Sequence, residues 1–197
     1  MPAKRKDYVI CVDLSEKIVN YLKKKTKRPI YCVSPGFKIP FFNETDKFDL
    51  ALNLLTVYQS AHAVITTRLH TAMPCLALGT PVLLVDKTDG NEIRFSGLSD
   101  LVNTIGEKSY LNDLDYFDVD NPTANSNKFL KFRKDLIKKC EEFTGCKHRE
   151  DFPLQKAFSL EECITRNFAV MYNANQNMDL SKYISKKAVI DFLKSKI

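Results

Sequence analysis

A chain of 197 residues, 44% hydrophobic and 27% charged, fits one α/β domain with or without an appendage and excludes a long disordered protein. The net charge of +6 suits a phosphorylated small molecule, a nucleic acid or an anionic surface, but the cations are dispersed, as at Lys23, Lys24 and Lys25 or Lys138 and Lys139. Solvated helix faces are therefore favoured over a nucleic-acid groove, and no apolar stretch approaches the roughly 20 residues of a membrane span.

Residues 1–6 are basic but run into Asp7 rather than into the apolar core of a secretion signal. Residues 8–13 (YVICVD) form a near-continuous apolar run, the pattern of a strand buried on both faces. Ser15 is placed to cap the next helix, where Ile18, Val19 and Leu22 recur at helical spacing before Pro29. Residues 30–33 give a second short strand broken by Ser34, Pro35 and Gly36, completing a β-α-β unit.

A polar and aromatic loop is expected over 37–47, then an apolar helix over 48–58 with Leu50, Leu54, Leu55 and Tyr58 along one side. Residues 63–66 (AVIT) and 81–85 (PVLLV) read as a third and a fourth strand. The segment between them, RLHTAMPCLALG, has helical period and ends at Gly79, a plausible left-handed stop. If Thr67 caps this helix, Pro74 lies inside it; if Thr71 caps it, Pro74 sits in a tolerated first turn.

Residues 106–124 are mixed and turn-rich. Asn125 or Ser126 then caps an amphipathic helix striped by Phe129, Phe132, Leu136, Cys140 and Phe143 and closed by Gly145. Two further helices are expected around 157–172 and 185–196. The whole reads as α/β: a Rossmann-like, mainly parallel sheet with flanking helices over 1–145, and a helical C-terminal appendage over 146–197.

The six cysteines, at 11, 32, 75, 140, 146 and 163, contain no C-x-x-C pair. Cys11, Cys32 and Cys75 lie in apolar runs, as small buried hydrophobes do, while Cys140, Cys146 and His148 lack a well-spaced fourth ligand for zinc. Free thiols in a reducing cytoplasm are expected.

In open parallel sheets, ligands bind beyond the carboxyl ends of the strands. Three segments are expected to reach that edge: residues 34–36, 66–70 and 86–94. In the second, a strand passes through Thr66 and Thr67 towards a helix start, whose open N–H groups favour an anion. Arg68 adds a planar cation suited to phosphate or carboxylate, and His70 a group that exchanges protons near neutrality. Alternatively, Arg68 pairs with an acid elsewhere in the fold and His70 is a core histidine.

The run AHAVITTRLHTAMPCLALGTPVLLV, residues 61–85, resembles the polysaccharide pyruvyl transferase family: a strand, an Arg-Leu-His triplet, a small-residue helix, then Gly-x-Pro-Val entering the next strand. The resemblance runs from about residue 58 to 98 and extends plausibly back to residue 8. It implies a half of a GT-B-like enzyme, the C-terminal one, that transfers pyruvate from phosphoenolpyruvate to the hydroxyls of a sugar or glycan acceptor. No other cofactor is implied. It also implies Arg68, Leu69 (by its backbone) and Thr67 as substrate-binding residues, His70 as the catalytic acid or base, and Arg94 as a looser second cation. A chain of this length is expected to hold one Rossmann-like half, so a missing N-terminal half or a partner chain is expected to complete the site. The competing expectations are a nucleotide-sugar glycosyltransferase half, against which no convincing paired glutamate is seen, and a non-catalytic anion- or partner-binding module.

Overall fold

The apolar run after Asp7 forms β1 (Val9–Val12), and Glu16–Lys25 forms α1, in a computed structural model that describes residues 7–35, 44–88 and 97–148. The other elements, in order, are β2 (Ile30–Val33), α2 (Glu44–Ser60), β3 (Ala63–Thr66), α3 (Leu69–Ala77), β4 (Val82–Asp86), β5 (Asn103–Gly106), α4 (Glu107–Asn112) and α5 (Phe129–Thr144). The five strands form one sheet in the order β2-β1-β3-β4-β5. Every pairing is parallel. This is the expected Rossmann-like α/β sheet with flanking helices.

Burial explains the apolar strands. Every residue of β1, β3 and β4 is buried, because helices cover both faces of the sheet. Alternate side chains go to opposite layers. Ile10, Val12, Val64, Val82 and Leu84 pack with Val57, Tyr58, Leu69, Ala72, Cys75 and Leu76 of α2 and α3. Val9, Cys11, Ile65, Leu83 and Val85 pack with Ile18, Val19 and Leu22 of α1, Tyr110 of α4, and Phe117 and Val119 beyond it. Each fully buried Val, Leu or Ile contributes about 1.5–3 kcal/mol by leaving water, so the central strands are the main source of stability.

Several expectations are corrected. The second helix begins at Glu44 rather than 48 and takes in the end of the expected loop. A fifth strand, NTIG, and a six-residue helix, EKSYLN, follow the turn at Ser99–Leu101. The strand is half-buried and short, so it carries no apolar run to announce it.

The α5 N-cap is Lys128, not Asn125 or Ser126. Asn125 instead bridges the approach to β4. Its Nδ2 donates to the Thr80 carbonyl at 2.6 Å, and its Oδ1 accepts the Val82 N–H at 3.1 Å. This satisfies backbone groups around Pro81, which cannot donate itself. The α5 stripe is also not packed as an amphipathic face usually is: Phe132, Leu136 and Phe143 are exposed, and only Phe129 leans on the core. Gly145, in the left-handed region at φ 69°, ends α5 as expected. The helices expected over 157–172 and 185–196 lie outside the described residues.

Candidate anion site at the ends of β1 and β3

The strand order places the site. The chain moves from β1 outward to β2, then returns to the other side of β1 for β3, so the crevice where the order reverses opens at the carboxyl ends of β1 and β3. Asp13 follows β1, and Thr67 and Arg68 follow β3. These residues are brought together there.

The local chemistry turns β3 into α3. The Arg68 N–H donates to Thr66 Oγ1 at 2.9 Å, a hydroxyl turn that takes the chain out of the strand. Arg68 then occupies the N-cap of α3 at φ −106° and ψ 117°. Neither Thr67 nor Thr71 caps the helix. Pro74 therefore lies inside α3, where it supplies no N–H for the His70 carbonyl. The Arg68 carbonyl accepts from both Thr71 and Ala72 N–H at 3.0 Å. The N–H groups of Leu69 and His70 have no acceptor among the described residues, the expected state of a helix first turn. The other end of α3 closes on Gly79 at φ 71°, with the Thr80 N–H donating back to the Cys75 carbonyl at 2.9 Å.

The expected site residues divide by exposure. Thr67 and Leu69 are buried: Thr67 Oγ1 donates to the Asp13 carbonyl at 3.2 Å, and the Leu69 side chain packs in the core. Only the backbone of Leu69 is thus available to a ligand. Arg68 and His70 are exposed. His70 is therefore not a core histidine, whereas Arg68 does have an acidic partner. Its Nε donates to Asp13 Oδ2 at 2.6 Å, with half of its side chain still in solvent. Arg94 lies outside the described residues, as does Gly36 of the first expected edge segment.

Sequence reasoning passed over Asp13. The available signal was a carboxylate ending a strand that is buried on both faces. Asp13 is also the only non-glycine among the described residues in the left-handed region, at φ 53°. Ser15, one turn further on, holds the N-cap of α1 without a side-chain cap bond, contrary to expectation. Its carbonyl accepts the Val19 N–H at 3.1 Å, while its buried hydroxyl has no partner among the described residues.

Other titratable groups lie elsewhere. Burial raises the Tyr58 hydroxyl to about 12 and pushes the Cys75 thiol far up, so neither ionises near neutrality. A cavity of about 280 Å³ lies between α1 and residues 114–119, lined by Tyr21, Lys25, Asp115 and Asp118, and includes neither Arg68 nor His70. No group of three or more metal-ligating side chains occurs among the described residues, and none of their helices is long and apolar enough to cross a membrane.

No curated protein and no solved structure matches the chain. Residues 8–87, which hold β1 to β4, Asp13, Arg68 and His70, do match a family model, that of polysaccharide pyruvyl transferase. Over that segment, which is less than half of its length, the chain is similar to the polysaccharide pyruvyl transferase family.

Proposed function

We propose that the chain is the C-terminal, GT-B-like half of a pyruvyl transferase that takes phosphoenolpyruvate at the ends of β1 and β3. The observation that carries this reading is Arg68: a half-exposed guanidinium at the N-cap of α3, at the sheet's switch point, inside the family-matched segment. A small polyanion fits there. The guanidinium and the first-turn N–H groups of α3 would hold phosphate or carboxylate and stabilise charge on the departing phosphate.

The transfer adds a sugar hydroxyl oxygen to the central carbon of the donor, protonates its methylene carbon and releases phosphate; a second hydroxyl completes the ketal. His70 is the residue to supply or accept a proton, as it is exposed two residues from Arg68. Arg94 would add a second cation. The acceptor is a sugar of a surface glycan or its precursor, and an N-terminal half or a partner chain would form the opposite wall. The described cysteines are free thiols, which supports a cytoplasmic location.

A thermal-shift titration of residues 1–197 tests the donor class. Phosphoenolpyruvate should raise the melting temperature and Arg68→Ala should abolish that shift, while Arg68→Lys should restore it only in part because the planar fork is lost. Stabilisation by nucleotide sugars but not by phosphoenolpyruvate would instead make the chain a glycosyltransferase half. A response to any small anion with no turnover beside a complementary half would make it a binding module.

A further inference from the structure

We propose that Asp13 is the positioning residue of the anion site, holding the Arg68 guanidinium by Nε so that its four Nη protons remain for the ligand. The inference rests on the donor-site reading above and adds to it a residue that the Arg-Leu-His triplet does not contain. Four observations carry it. Asp13 Oδ2 lies 2.6 Å from Arg68 Nε, and the Asp13 side chain is 17% exposed against 50% for Arg68. The carboxylate is therefore the anchored partner and the guanidinium the solvent-facing one. The Asp13 backbone is fixed on both sides: its N–H donates to the Val33 carbonyl at 3.3 Å, and its carbonyl accepts Thr67 Oγ1 at 3.2 Å. Its φ of 53° turns the chain from β1 towards α1 across the crevice, a conformation L-residues adopt at a cost and that aspartate and asparagine tolerate best.

Chemistry gives this arrangement its use. A lone arginine on the surface samples many rotamers, and a ligand must freeze them. A carboxylate on Nε fixes the plane of the fork before the ligand arrives, leaving donors suited to bidentate contact with phosphate or carboxylate. The opposing effect is repulsion: a second anion beside Asp13 is disfavoured, and if that effect dominated, neutralising Asp13 would tighten binding. The two effects differ in sign.

The test uses residues 1–197 as parent, Asp13→Asn, Asp13→Gly, Arg68→Ala and the Asp13→Asn/Arg68→Ala double variant. Asparagine and glycine both accept the positive φ, so a melting temperature close to that of the parent is expected. Calorimetry with phosphoenolpyruvate should show roughly a 5- to 30-fold weaker Kd for both Asp13 variants, while the double variant should bind no worse than Arg68→Ala, since Asp13 acts through Arg68. Independently of any ligand, the Arg68 Nε–H resonance should exchange slowly with solvent in the parent and quickly in Asp13→Asn.

Parent-like binding by Asp13→Asn, with Arg68→Ala defective, would overturn the inference and leave the donor site standing. Tighter binding by Asp13→Asn would overturn it in favour of a blocking role. If the parent fails to bind phosphoenolpyruvate, the donor reading falls, and an unchanged Nε–H exchange rate would then overturn the positioning role as well.

Discussion

Cys11 on β1 and Cys32 on β2 are register partners across a parallel strand pair, both on the sheet face covered by α1. The two thiols influence each other across that pair, and their acidities separate. The neighbouring Cys11 thiol holds the Cys32 thiol below its usual range, and Lys23 nearby favours the same thiolate. Cys11, beside Cys32 and fully buried, is pushed well up.

Of this pair, Cys32 should therefore be alkylated first. Its pH midpoint should lie below that of a free cysteine, because a lowered pKa puts the thiolate in place at lower pH. Cys11→Ala removes the neighbouring thiol and should move the midpoint upward. Mass spectrometry of iodoacetamide-treated protein across pH 6–10 checks this; Cys11 reacting first would contradict it.

His70→Asn should separate chemistry from binding. In a reconstituted enzyme, kcat should fall by about 10²–10⁴-fold while donor affinity stays near that of the parent, since a proton-transfer group is lost and a polar one kept. Steady-state kinetics paired with direct donor binding decides the matter. Unchanged turnover would leave His70 with no chemical role.

Residues 1–197 alone should bind phosphoenolpyruvate weakly and transfer nothing. Arg68 and His70 are both exposed on the strand-end face, so water screens their charges and nothing on this face among the described residues orients an acceptor hydroxyl. Adding a complementary half should switch transfer on. Pyruvylation of a sugar by the purified chain without any partner would refute this.

Asp120 should matter more than its half-exposed position suggests. Its Oδ1 accepts from Thr26 Oγ1 at 2.5 Å and from Arg28 Nε at 3.1 Å, and Arg28 also pairs with Asp7. The buried Thr26 hydroxyl in turn accepts the Arg28 N–H. Asp120→Ala should cost about 1–3 kcal/mol by leaving that hydroxyl and the guanidinium without their shared acceptor. Urea denaturation measures it, and a change below about 0.5 kcal/mol, the level of an ordinary surface substitution, would show that the network is replaceable by water.

Tyr110 is the counter-case. Its ring is fully buried, and its hydroxyl has no partner among the described residues. Burial pushes its ionisation far up. Tyr110→Phe should leave stability unchanged or raise it by up to about 1 kcal/mol, since a desolvated hydroxyl is removed with the packing kept. A clear loss in the same denaturation assay would reveal a bonded hydroxyl.

Local pattern was enough for much of this protein. The runs YVICVD, AVIT and PVLLV announce strands because burial on both faces admits little but apolar side chains, and Gly79 and Gly145 announce helix ends because only glycine enters the left-handed region freely. Arg68 and His70 were legible as a cation and a proton-transfer group at a strand-to-helix turn. What sequence could not supply was neighbourhood. The helix start at Arg68 was decided by the Thr66 hydroxyl turn, which propensity does not distinguish from capping by Thr67 or Thr71. The half-buried β5 exists because β4 offers it a ladder, not because its four residues demand a strand. The pairing of Asp13 with Arg68, 55 positions apart, depends on β3 lying beside β1 rather than beside β2. Strand order is a property of the whole packed sheet, and no local run of residues encodes it.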